Sequence, residues 1–339
     1  MTAFDDFLGR LNPSLSGKIK TGDEVSVERL PLVSRRLTKD LGGGVVKGRI
    51  ARFWGVASSG KTAMLLQSVA QWQKQGLVCS LIDIEGTFDA EWAERLGVNT
   101  KELIVEQASL SSSKIEDAIT PLLKAGVDVM IIDSISMIMP EVFVGVDGEL
   151  NSQDDRKQIG SKAVAIKKLL AGIHYHNEKT AVLLISQVMN KFGSMHPEQI
   201  PDGGYATEFA LTQDVKLFAS KTMNNQIQEE IYEGGRLITR PVGREVTYIV
   251  VKNKAGAPNG SGDFDFYYAG PDVGVDVCKE LLMIAVEYGI VENKKGSSWF
   301  KYNGETIQGK KNFVYRLKSE PDFKDQLERD VEEFENGSK

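Results

Sequence analysis

Residues Gly55–Thr62 read GVASSGKT and follow the apolar run RIARFW, residues 49–54. Two glycines frame four residues, and a lysine and a threonine follow. The run before the motif has β character and ends in glycine. The run after it, KTAMLLQSVAQWQKQG (61–76), carries Met64, Leu65, Val69 and Trp72 at helical spacing and closes on Gly76, a helix-ending residue. The motif therefore lies between a strand and a helix, the context in which such a loop holds phosphate. Its glycines let several backbone N–H groups point inward, where they meet an anion together with the helix N-terminus. On this reading Gly55, Ser58, Ser59 and Gly60 form the cradle. Lys61 reaches the β and γ phosphates of a nucleotide, and the Thr62 hydroxyl ligates Mg2+.

Three further runs extend this reading. VCSLIDIEGTFD (78–89) is β-rich and ends in acidic residues. VDVMIIDSISMI (127–138) gives a second buried strand closing on Asp133 and Ser134. TAVLLISQV (180–188) is a third apolar run, ending near Gln187. β-Rich runs alternating with helical segments predict an α/β fold with a mainly parallel sheet flanked by helices. Ligands gather at the carboxyl ends of such strands, where the Gly55 loop, Glu85, Asp133 and Gln187 are expected together. An apolar strand closing on aspartate suits the carboxylate that holds the magnesium shell, so Asp133 joins Thr62 as a metal residue. No glutamate follows Asp133. The available general base is Glu85, 24 residues beyond Lys61, unless Asp83 and Glu85 only solvate a strand end.

Bulk properties narrow the class. The 339 residues suffice for a substantial core and at least two domains, and the formal net charge is −6. That charge argues against a constitutive nucleic-acid coat but permits a local basic groove. We find no run of about 18 apolar residues, and the first residues lack the apolar core of a signal peptide. Cys79 and Cys278 stand far apart, which fits a reducing, cytoplasmic setting without a disulfide framework.

GVASSGKT, LIDIEGTFD, VMIIDSIS, LLISQV and VVKNKAGAP occur in the order and approximate spacing of bacterial RecA recombinases. LGGGVVKGRI upstream and WFKYNGETIQGKKN downstream extend the resemblance to about residues 25–330. The resemblance implies a RecA-type ATPase core that forms a homo-oligomeric filament on single-stranded DNA, with ATP held between neighbouring copies. Within it Lys61 and Thr62 bind phosphate and Mg2+, Glu85 polarises the attacking water and Asp133 supports the metal. Asp89 and Trp92 match the positions that meet adenine; the indole suits stacking, although a core helix residue reads the same. Gln187 matches the glutamine that senses the γ-phosphate and passes its state to the following DNA loop. Lys252 and Lys254 match the lysine pair that reaches the neighbour's ATP. Two apart at a strand end, they are expected to point the same way and to act as an arginine finger does, or else to form a solvated basic edge.

The run VMNKFGSMHPEQIPDGG (188–204) follows Gln187 as a long loop and resembles the family's second DNA-binding loop. Lys191 meets phosphate there, Phe192 and Met195 wedge between bases, and Gly203 and Gly204 close it. Met189 and His196 depart from the residues usual in the family. The first DNA loop, within 141–162, is longer than the family pattern and acidic, with Arg156, Lys157 and Lys162 as compensation; a solvated surface loop is the alternative. Downstream, residues 274–291 form an amphipathic helix pattern, and WFKYNGETI (299–307) reads as a hairpin with an Asn-Gly turn. This region resembles the domain that captures duplex DNA, with Lys310 and Lys311 as candidates, and ends in a short acidic tail or helix end.

The expected organisation is an N-terminal oligomerisation helix and linker (1–24), an ATPase core (25–269) and a small α+β C-terminal domain (270–339). The leading expectation is a DNA-dependent ATPase that pairs and exchanges strands. A hexameric helicase on the same fold, and an ATP-switched regulatory or scaffold protein, are the alternatives.

Overall fold

A computed structural model describes residues 27–107, 111–141, 155–190, 199–202, 207–219, 226–233 and 236–337, together with Phe7 and Gly22. Among the described residues no helix is long and apolar enough to cross a membrane. The architecture is α/β, as expected.

Two short strands, β1 (Arg29–Leu30) and β2 (Val45–Val46), pair with each other ahead of the main sheet. At the centre of that sheet six strands run parallel: β3 (Ile50–Gly55), β4 (Cys79–Asp83), β5 (Leu103–Glu106), β6 (Val129–Asp133), β7 (Ala181–Asn190) and β9 (Gln213–Phe218). Their order is β9-β3-β7-β6-β4-β5. The long strand β11 (Arg236–Asn253) pairs antiparallel with β9, and β12 (Ser261–Tyr267) and β13 (Gly274–Val275) continue the sheet beyond it. β10 (Gln226–Glu233) pairs with the first half of β11 as a hairpin.

The central strands read as nearly unbroken Val, Ile and Leu because both faces are covered. On one face Phe53, Leu81, Ile131 and Leu183 pack with Met64, Leu65, Val69 and Trp72 of α2 (Lys61–Lys74). On the other, Ile50, Ile82, Ile132 and Leu184 meet Ile115 and Ile119 of α4 (Ser112–Ala125) and Ile166, Leu169 and Ile173 of α5 (Asp155–His176). The helix after the phosphate loop ends as expected: Gln75 caps it, and Gly76 follows at φ +79°.

A third core lies near the C-terminus. It joins α6 (Val277–Glu287), the hairpin β14 (Trp299–Tyr302) with β15 (Glu305–Gln308), α7 (Lys310–Ser319) and α8 (Pro321–Gly337) around Phe313. Asn303 and Gly304 both have positive φ, so the Asn-Gly turn forms as its residues require. The acidic end of the chain is not a separate tail up to Gly337; it continues α8.

A short helix ahead of β3, α1 (Arg35–Asp40), buries Leu37 in the first core and joins the two parts. Its N-terminal N–H groups at Arg35 and Arg36 donate to the buried carboxylate of Glu280 on α6, and Ser34 Oγ donates to the same group at 2.7 Å. A carboxylate at a helix N-terminus is satisfied by the orphan donors and the helix dipole together. Of the expected N-terminal helix only Phe7 lies among the described residues; it is helical and exposed.

Candidate functional site

Residues at the carboxyl ends of parallel strands share one edge of the sheet. Here β3 ends at Gly55 opposite Gln187, and β4 and β6 end with Asp83 opposite Asp133. The phosphate loop leaves β3 at Gly55, where a Cβ would stand 1.8 Å from the carbonyl oxygen of Leu217 on β9. Only glycine permits that approach. Gly60 caps α2 in the left-handed conformation at φ +84°.

Lys61 is buried inside the loop. Its Nζ donates to the carbonyls of Gly55 at 3.0 Å and Val56 at 2.9 Å, and to Ser59 Oγ at 3.3 Å. Burial lowers its pKa to about 8, against the opposing pull of Asp133 and Glu85. Thr62 Oγ1 donates to Asp133 Oδ2 at 2.7 Å. Burial raises Asp133 to about 6; the Thr62 hydrogen bond opposes that rise, and the charge of Glu85 adds to it. Thr62 and Asp133 thus present two hard oxygen donors side by side, the ligand chemistry that magnesium takes.

Glu85 lies two residues past the end of β4 rather than on the strand, because Asp83 turns the chain. The Asp83 carboxylate accepts from the N–H groups of Thr87 and Phe88 and so holds the turn itself. Glu85 Oε1 accepts from Ser134 Oγ at 2.5 Å and from Gln187 Nε2 at 3.2 Å. No described residue donates to Oε2. Ser136 Oγ accepts the Gln187 N–H at 2.9 Å, and the Ser136 carbonyl accepts from Lys162 Nζ at 2.6 Å. Ser134 and Ser136 join the site without a motif to mark them; their only signal in the sequence is two serines within three residues after a strand-end aspartate.

A cavity of about 440 Å³ opens beside the loop, lined by Ser58, Ser59, Gly60, Lys61, Thr62 and Ala63 together with Trp92, Phe266, Tyr268 and Arg244. Trp92 therefore sits where an aromatic base can stack. Asp89 takes a different position. It is exposed and caps α3 (Ala90–Arg95), accepting the Trp92 N–H at 3.0 Å, so it orients the helix that carries the indole. Phe266, Tyr268 and Arg244 were not anticipated. They arrive from β11, β12 and the residue after β12, brought to the loop by antiparallel pairing.

Lys252 and Lys254 lie at the other edge of the sheet. β9 runs parallel to β3, and β11 runs back along it, so Lys252 pairs with Asp214 near the start of β9, far from Gly55. Both lysines stand at the end of β11, in register with the start of β9 and separated by the buried Asn253. A bulge falls between Val250 and Lys252, the strand stops at Asn253, and the Lys254 N–H donates to the Thr212 carbonyl at 2.9 Å. Lys252 Nζ donates to the Glu208 carbonyl. Burial lowers its pKa first, and the neighbouring charge of Lys254 lowers it further.

The strand carrying Gln187 does not break into loop at once. β7 extends to Asn190 and pairs with β8 (Gln199–Pro201), Val188 opposite Pro201 and Asn190 opposite Gln199. This forms a hairpin stem beneath the expected DNA loop. Lys191, Phe192, Met195, Gly203 and Gly204 lie outside the described residues, as do the side chains of Arg156 and Lys157. Lys162 is described, and it bridges inward: Nζ donates to Asp202 Oδ2 at 2.7 Å, at the foot of that stem. Lys310 and Lys311 are exposed at the start of α7.

Beneath the site Arg52 is wholly buried on β3. It makes a bidentate pair with Asp214, at 2.9 and 2.6 Å, and donates to Thr207 Oγ1 at 2.6 Å. The apolar reading of RIARFW gave no hint of a buried ion pair.

Comparison with known proteins gives matches over nearly the whole chain. The family model of the RecA N-terminal domain matches residues 15–272, and that of the RecA C-terminal domain matches residues 279–335. The protein RecA of Thioalkalivibrio sulfidiphilus is 33% identical over 322 residues, which is 93% of this chain and 88% of that one. Protein RecA of Aquifex aeolicus is 31% identical over 321 residues, covering 93% and 86%. Protein RecA of Rickettsia bellii is 32% identical over 319 residues, covering 93% and 87%.

Proposed function

We infer the function of this chain from the premise that it belongs to the RecA family, whose members serve DNA recombination and repair. It is a DNA-dependent ATPase that assembles into a filament on single-stranded DNA and promotes homologous pairing and strand exchange. One observation carries the reading: Gln187 touches Glu85 beside the phosphate loop and stands on the strand that continues into the stem of the expected DNA loop.

The donor set fits the cofactors. Thr62 and Asp133 would hold Mg2+ through oxygen, and the cavity between the loop and Trp92 accommodates a nucleotide. Bound magnesium neutralises charge on the phosphate oxygens. Lys61 exchanges its carbonyl partners for phosphate, whose negative charge favours the ammonium form. Glu85 receives the proton of the attacking water at Oε2 while Ser134 and Gln187 hold Oε1. Gln187 senses the γ-phosphate, and its strand carries the change to the DNA loop. Asp89 contributes to nucleotide binding through Trp92.

The same proposal places single-stranded DNA at Lys191, Phe192 and Met195, with Gly203 and Gly204 as loop hinges, and duplex DNA at Lys310 and Lys311. It divides the chain at residues 24 and 269 into oligomerisation arm, ATPase core and C-terminal domain. Lys252 and Lys254, remote from their own phosphate loop, serve the ATP of the neighbouring copy. The test is ATP hydrolysis with and without single-stranded DNA, paired with electron microscopy of the protein on DNA with a non-hydrolysable ATP analogue. Stimulated hydrolysis and open filaments are expected. Hydrolysis indifferent to DNA, or closed rings, would overturn the reading.

A further inference from the structure

Two cations line the nucleotide cavity, and they come from different elements. Lys61 comes from the loop itself. Arg244 comes from β11, where it stands opposite Gln226 on β10 and Phe266 on β12, held on both sides by backbone pairing. Its Nη1 donates to the Ser58 carbonyl at 3.1 Å, and its guanidinium carbon lies 5.3 Å from the centroid of the Tyr268 ring. The group therefore spans the distance between the phosphate loop and the aromatic wall.

Ser58 gives this contact a reason. It adopts φ +58°, a conformation a serine rarely takes. Arg244 binds the carbonyl of that strained residue. A guanidinium offers five donors and no acceptor, so one bond to Ser58 leaves most of its donors available. Phosphate oxygens only accept. Adenine offers neutral ring-nitrogen acceptors beside an amino donor, a weaker partner for a guanidinium than anionic oxygens.

We propose that Arg244 is a nucleotide-binding residue that grips the phosphate chain at the end nearer the base, while Lys61 holds the end deeper in the loop. The inference rests on the ATP-site reading above and adds to it a contact from outside the phosphate-loop motif. It also ties the base of the β10–β11 hairpin to nucleotide occupancy, because Arg244 and Gln226 are paired across that hairpin.

The test uses the full-length protein and MgADP, titrated by calorimetry at two ionic strengths. Arg244→Ala should weaken binding about tenfold, and the loss should shrink as salt rises, because a partly exposed charge is screened. The second variant, Arg244→Gln, keeps a donor for the Ser58 carbonyl and removes the charge. It should bind as weakly as the alanine variant, with melting temperatures near wild type. Wild-type affinity in either variant would overturn the proposal and leave Arg244 as a brace for Ser58. Failure of the ATP-site reading looks different: wild type would not bind MgADP, or Lys61→Ala would bind it as tightly as wild type does.

Discussion

Gln187 Nε2 and Glu85 Oε1 stand 3.2 Å apart, joining β7 to the segment that follows β4. Gln187 lies on β7 and Glu85 just past β4, at the same edge of the sheet. A change in what Gln187 bonds to thus reaches the proton acceptor without an intermediary. Glu85→Gln should lower turnover by about 10²–10⁴ while leaving nucleotide and DNA affinity near wild type. Gln187→Ala should collapse the ratio of DNA-stimulated to unstimulated hydrolysis toward unity. A coupled ATPase assay reads both, and undiminished turnover in Glu85→Gln would remove that residue from its role.

The charged pair at the centre of the site gives a pH window. Asp133 must be ionised to hold Mg2+, and its pKa is raised to about 6. Lys61 must be protonated to hold phosphate, and its pKa is lowered to about 8. MgADP affinity should therefore fall as pH drops through 6 and again as it rises through 8. Stability of the ligand-free protein responds in the opposite sense. The raised Asp133 pKa disfavours the fold above about 6, and that cost is relieved as pH falls toward the ordinary 3.8. The lowered Lys61 pKa disfavours it below about 8, and that cost is relieved as pH rises toward 10.5. Titration calorimetry from about pH 5 to about pH 9 checks the first part; a flat profile contradicts it.

Arg52 and Asp214 form a buried bidentate pair beneath the phosphate loop, so removing one partner strands the other in the core. Arg52→Met or Asp214→Asn should cost about 3–5 kcal/mol, read by denaturant unfolding. Replacing both with apolar residues of similar volume should recover part of that loss. A single variant with wild-type stability would contradict the account.

Lys162 is shared between Asp202 and the Ser136 carbonyl, at the foot of the expected DNA loop. A DNA phosphate arriving there competes with Asp202 for the ammonium. Asp202→Asn should therefore tighten single-stranded DNA binding and steepen its salt dependence by about one counterion. Lys162→Ala should do the reverse. Fluorescence anisotropy on a labelled oligonucleotide at several salt concentrations decides between these outcomes, and equal slopes in all three proteins would dismiss the competition.

Most of the nucleotide site was legible because its parts obey local rules. The loop and α2 declare themselves through glycine placement and helical spacing. Glu85, Asp133 and Gln187 each end an apolar run, and a parallel sheet gathers such ends on one edge. What escaped depends on pairing between distant segments. Val246, Tyr248 and Val250 alternate with Thr247, Ile249 and Val251, a strand pattern in plain view. Which neighbour that strand takes is set by long-range register, and so Arg244 and Tyr268 reached the cavity unannounced. The bulge before Lys252 likewise has no local signature; it changes the register of both lysines against β9 and leaves their spacing to each other intact. Arg52 sat in a run whose other members are apolar, and only its partner at Asp214 reveals why it is tolerated there.

Lys252 and Lys254 stand at the edge of the sheet opposite the phosphate loop of their own chain. If they complete the site of the next copy, mixing Lys61→Ala and Lys252→Ala subunits should restore part of the hydrolysis that each lacks alone, and no recovery at any ratio would refute the sharing. A linear array then never has as many working sites as members. The copy at one end offers its lysines to nothing, and the copy at the other waits for lysines that do not come. Such an array has a silent end and an active end from the moment two copies join, so direction along the DNA is inherited from the placement of one strand.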